Sequence, residues 1–212
     1  PEIRARYGSL AGGVGIALNF LLFLGKLISG LVTGSIAVIA DAVNNLSDVA
    51  SSAITVIGFR FAGRAADKEH PFGHGRVEYL AGLSVSVAIL LMGLEIGKSS
   101  VQKLFSPAPV EFSWSAIGIL AAGVLTKLWM CRFQRTLGKR IDSAAMQATA
   151  TDSVSDAVST TVVLASMLVG EFFNCSIDAV AGIVVAVFIL KNGWDSAKET
   201  LSPLLGRAMD AG

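Results

Sequence analysis

Charge is scarce in this chain. Of 212 residues only 16% are charged, against 53% hydrophobic, and the net charge is +1. An ordinary soluble domain needs more polar surface than that to wrap its core. A balance so close to neutral implies neither a basic nucleic-acid face nor an acidic tail. Histidine and cysteine are equally sparse, with two of each, and there are five prolines. The cysteines therefore offer no disulfide framework. Long hydrophobic runs are what remains, and the mean hydropathy is +0.65.

At roughly 35 residues for a span and its connection, the length accommodates about six membrane crossings and no sizeable soluble domain. Apolar stretches at 9–32, 36–62, 77–104, 113–136, 143–169 and 177–198 are all far longer than strands. The sequence thus predicts an all-α membrane protein of six transmembrane helices. The breaks carry turn chemistry: Val-Thr-Gly-Ser at 32–35, a polar loop at 64–76, Ser-Pro-Ala-Pro at 106–109, Gly-Lys-Arg at 138–140 and a polar segment at 171–176. The start of the chain enters the first span without a small-residue cleavage site, so no removable signal peptide is expected.

Basic residues orient the spans. Arg4 and Arg6, then Arg64, Lys68 and Arg76, then Arg132, Arg135, Lys139 and Arg140, and finally Lys198 and Arg207 fall on one side, with Lys103 the exception. Both termini are expected in the cytoplasm by the positive-inside rule. That topology puts Cys131 and Cys175 on opposite sides of the bilayer, which argues against a mutual disulfide.

Polar residues at membrane depth carry the functional signal. Asn44 and Asp48 lie four apart on one face of the second span, and Asp152 and Asp156 repeat that spacing in the fifth. Counted from the cytoplasmic ends, Asp48 and Asp156 both fall about 21 Å deep. Buried carboxylates at one level require a compensating charge, and the count places no lysine or arginine there. A divalent cation is the expected partner, held by oxygen atoms of Asn44, Asp48, Asp152 and Asp156. Asp41 and Asn45 flank this set as candidate outer residues. Small neighbours such as Ser47, Ala50, Ala150 and Ser153 let the helices approach. Asn19, Lys26, Glu95, Lys98 and Asp178 read instead as packing or snorkelling residues.

A second constellation lies in the loop after the second span. Asp67, His70 and His74 offer a carboxylate and two imidazoles within eight residues, and Gly73 and Gly75 permit the turn that would converge them.

The segments at 35–48 (Ser-Ile-Ala-Val-Ile-Ala-Asp-Ala-Val-Asn-Asn-Leu-Ser-Asp), 70–78 (His-Pro-Phe-Gly-His-Gly-Arg-Val-Glu) and 152–156 (Asp-Ser-Val-Ser-Asp) together resemble the cation diffusion facilitator family of divalent-metal transporters. The resemblance extends over nearly the whole chain. It implies a homodimer, alternating access and metal efflux, usually against protons. Asn44, Asp48, Asp152 and Asp156 match the family's transport site, Asp67, His70 and His74 an accessory site of some members, and Arg76 a basic residue associated with helix interlocking. The site lacks the histidine of zinc-type members and looks like the manganese group. Oxygen donors also suit a harder ion than zinc. Zinc, iron, cobalt and cadmium export are the alternatives within the family. The chain reads as a transmembrane domain, 1–205, followed at 206–212 by the start of a linker to a cytoplasmic domain absent from it.

The metal is cargo, and no resident cofactor is implied. A passive cation channel would predict successive weak sites in place of one compact set. A metal-dependent hydrolase would need an extra base or nucleophile beside the ligands, and Ser47, Ser153 and Ser155 lack a histidine partner, so enzymatic activity is not expected. The expected location is a bacterial inner membrane.

Overall fold

A computed structural model describes residues 2–62, 75–106, 110–140, 144–173 and 177–204. These residues form six α-helices and no strand: α1 (Glu2–Thr33), α2 (Ile36–Ala62), α3 (Gly75–Phe105), α4 (Trp114–Arg140), α5 (Ala144–Phe173) and α6 (Asp178–Leu204). The helices outrun several of the apolar stretches, notably at the start of α1 and the end of α6. Backbone hydrogen bonding propagates a helix past the last apolar residue, so hydropathy marks the span and not the helix end. Among the described residues five helices, all but α2, are long and apolar enough to cross a membrane. The Asp41–Asp48 segment lowers the hydropathy of α2.

α1 packs along α2, α4 along α5 and α3 along α6, and α2 also touches α3, α5 and α6. The helix bearing the polar run is therefore the central one. Its polarity faces inward, while large apolar residues of the outer helices, such as Leu21 and Leu31 of α1 and Leu125 and Trp129 of α4, are exposed. Lys26 and Lys127 rank among the most deeply buried side chains. Greasy outside and charged inside is the reverse of a water-soluble bundle and is stable when lipid is the solvent.

Glycine is required at two points of the α1–α2 corner. Gly34 turns the chain with φ 65°, a conformation that costs glycine little. Four residues earlier, a Cβ on Gly30 would lie 2.7 Å from Ile39 Cγ1 and 2.9 Å from the Ile39 backbone nitrogen. α1 and α2 thus cross in near backbone contact.

Next to that corner the first residue of α6 caps α2. Asp178 accepts from the backbone N–H of Ile36 at 3.0 Å and Ala37 at 3.4 Å, and from the Ser35 hydroxyl. Ser35 Oγ in turn accepts from Val38 N–H at 3.1 Å, an ordinary N-cap bond. Lys103, in the last turn of α3, donates to Asp178 Oδ2 at 2.9 Å and to the Gly34 carbonyl at 2.8 Å. An anion at the positive end of α2 is electrostatically favoured. Asp178 and Lys103 are both nine-tenths or more buried, so Asp178 is not a snorkelling residue. Lys103, the exception to the charge asymmetry, is already neutralised by it.

Candidate metal centre

Midway along the bundle four helices converge polar groups on one point. α2 supplies Asn44 and Asp48 from successive turns, and α5 supplies Asp156 opposite them. Asn44 Nδ2 donates to Asp156 Oδ1 at 2.7 Å. Asn192 of α6 donates to Asn44 Oδ1 at 3.4 Å. Fully buried Ala40 on α2 and Ala157 beside Asp156 on α5 keep this region of the bundle compact.

The compensating charge is a side chain. Lys127 of α4, 1% exposed, places Nζ 2.8 Å from Asp48 Oδ2 and 2.6 Å from Asp156 Oδ2. This corrects the expectation that no basic residue reaches that level. The depth count followed Cα positions, and from the end assigned to the fourth span Lys127 lies only about 13 Å deep. Side chains on a helix lean toward its N-terminus, and the four-carbon stem carries the ammonium about 6 Å further in that direction.

Asp152 stands one turn from Asp156 along α5 and is exposed. No three His, Cys, Asp or Glu side chains among the described residues are grouped as a metal would need. Of the four expected ligands, the structure therefore draws Asn44, Asp48 and Asp156 together, with Lys127 among them. On the same α4–α5 interface Ser153 donates to buried Gln134 Oε1 at 3.1 Å. Asp67, His70 and His74 lie outside the described residues, as do Cys175 and 206–212; Cys131 is a buried free thiol.

A second buried node sits nearer the α1–α2 corner. Lys26 of α1, 0% exposed, pairs with Asp41 Oδ2 at 2.7 Å. It also donates to Asn45 Oδ1 at 2.8 Å and Thr160 Oγ1 at 2.9 Å. Thr160 donates to Asp41 Oδ1 at 3.1 Å, and Asn45 to Asn19 Oδ1 at 3.2 Å. Lys26 is thus no snorkelling residue: its charge stays inside the bundle and is matched there. Asp41 and Asn45 face this lysine. Thr160 is one turn from Asp156, so the two nodes are stacked along α5. Glu95 and Lys98 are exposed and 3.9 Å apart, as expected of residues outside the machinery.

Asn192, Lys127, Gln134 and Thr160 escaped the sequence reading. A polar residue in an otherwise apolar span is the signal that each of them carries.

Among the described residues the centre offers carboxylate and amide oxygens that suit a cation, without an imidazole, a thiolate or a nucleophile–base pair. Residues 14–205 match the cation efflux transmembrane domain. An uncharacterized transporter of Methanocaldococcus jannaschii is 36% identical over 190 residues, covering 90% of this chain and 67% of the relative. The manganese efflux system protein MneS of Bacillus subtilis is 32% identical over 200 residues, covering 92% of this chain and 69% of that protein. The cation-efflux pump FieF of Cronobacter sakazakii is 29% identical over 206 residues, covering 96% and 69%.

Proposed function

The chain belongs to the cation efflux family, whose members are transporters rather than enzymes, and on that premise we propose that it exports a divalent metal ion by alternating access, with manganese favoured and protons moving the opposite way. The observation that carries this reading is the convergence of Asn44, Asp48 and Asp156 inside the bundle, with Asn44 donating to Asp156 at 2.7 Å and Lys127 joining Asp156 to Asp48. Lys127 offsets one of the two carboxylate charges, and a divalent ion would match both. The resemblance to a manganese efflux protein and the all-oxygen donor set support the harder ion.

In this reading all six helices span the bilayer with both termini in the cytoplasm. The chain works as a homodimer in a bacterial inner membrane. Asp152 joins the ion from the exposed side of the site, and Asp67, His70 and His74 form an accessory site off the path. The test is manganese flux into vesicles containing the wild type, Asp48→Asn and Asp156→Asn, with and without a pH gradient. Loss of flux in both variants, with gradient-dependent flux in the wild type, is expected. Wild-type rates in either variant overturn the site, and flux indifferent to the gradient favours a channel. Anomalous scattering from crystals soaked in manganese or zinc locates the ion and counts its ligands.

A further inference from the structure

The ammonium of Lys127 stands where the two carboxylates point. Its Nζ takes Oδ2 of both Asp48 and Asp156, from α2 and α5, at ordinary ion-pair distances. The remaining Oδ1 of Asp156 is held by Asn44. A transition-metal ion approaches carboxylate oxygens to about 2.2 Å, so an ion bridging the same Oδ2 atoms contends with Nζ for the same lone pairs.

We propose that Lys127 is a tethered competitor of the transported ion: its ammonium joins Asp48 to Asp156 when the carrier resets without cargo, and it leaves the carboxylates when a divalent cation binds. This rests on the site assigned under the proposed function. Lys127 then does two things. It weakens ion binding enough for release, and it shares with the counter-moving protons the neutralisation of the two carboxylates while the unloaded carrier changes its access. Lys127 is held by the fold as a cation with fixed reach, whereas an ion diffuses away. That difference converts a binding site into one that empties.

The test uses the full chain, purified and reconstituted, with manganese chloride as the probe. Lys127→Met and Lys127→Gln are expected to bind manganese about tenfold more tightly by calorimetry, a change of about 1.4 kcal/mol. Net efflux should fall at least severalfold, while exchange of internal for external radioactive manganese, which needs no reset without cargo, is retained. Lys127→Arg restores the weaker affinity. In the wild type, acylation of Lys127 measured by mass spectrometry should rise when manganese is added, with Lys26 as the internal reference, so the inference stands or falls even if both neutral variants fail to fold. Unchanged or weaker binding in a folded neutral variant, equal loss of exchange and net flux, or acylation indifferent to manganese each overturns it. Equal manganese affinity in the wild type and Asp156→Asn instead overturns the underlying site assignment.

Discussion

Lys127 and Asp156 approach to 2.6 Å, which puts a short ion pair at the candidate transport site. α4 and α5 are joined there by an ion pair that, in the proposed cycle, the transported ion breaks.

That contact makes the stability of single mutants depend on their partner. Asp156→Asn leaves Lys127 with Asp48 alone, and breaking a buried pair costs about 3–5 kcal/mol when the other charge is left uncompensated. Because Asp48 remains, the loss should fall below that range. Adding Lys127→Gln to Asp156→Asn should recover part of it, with a coupling of about 0.5–3 kcal/mol in a double-mutant cycle. Thermal unfolding in detergent measures the four proteins, and strictly additive shifts would contradict the pairing.

Lys26 has a single carboxylate partner. Lys26→Met strands Asp41 at 1% exposure and should destabilise by about 3–5 kcal/mol. Lys26→Met with Asp41→Asn removes both charges and should be markedly more stable than Lys26→Met alone. Expression yield and unfolding temperature report the order, and the reverse order would mean that the pair does not exist.

Glycine positions in α1 and α4 predict opposite signs. Gly30→Ala forces a methyl group against the Ile39 backbone and should cost about 1–3 kcal/mol of overpacking. Gly118 has nothing within 4 Å of its notional Cβ, so Gly118→Ala should stabilise by up to about 1 kcal/mol through helix propensity alone. Unfolding temperatures that move the same way refute the close α1–α2 crossing.

Asn44 is the neutral oxygen donor of the site. Asn44→His substitutes a borderline-soft nitrogen, and the manganese-to-zinc flux ratio in vesicles should drop in favour of zinc. An unchanged ratio removes Asn44 from the ligand set.

The carboxylate half of the centre was legible because a spacing of four residues fixes a helical face and a rise of 1.5 Å fixes depth. Asn44, Asp48 and Asp156 converge, whereas Asp152, which the same spacing places with them, is exposed one turn away. The cationic half was hidden in two ways. Lys127 and Lys26 reach their partners along four flexible carbons, so their Cα positions misstate where the charge sits. Their partners also lie far off in the chain, 134 residues separating Lys26 from Thr160, and pairing at that range is decided by packing. The fold class followed from hydropathy, and the central place of α2 follows from its polar run, since a helix carrying Asp41, Asn44, Asn45 and Asp48 is best sheltered with neighbours on several sides. The α6 cap on α2 had no such signature: Asp178 looks like any acid at a helix start until the fold brings Ile36 to it.

That cap also determines how far things travel. With Asp178, Ser35 and Lys103 fastening α2, α3 and α6 at one end, the corner is the natural pivot for any rigid tilt of α2. Asp48 lies about 20 Å down the helix from Ser35, and the far end of α2 about 40 Å. A rotation of about 10° then displaces the site by roughly 3.5 Å and the far end by roughly 7 Å. The first distance exceeds the 2.6 and 2.8 Å contacts that Lys127 makes at the site. A single lever arm thus gives the centre a small stroke and the far end of the bundle a large one.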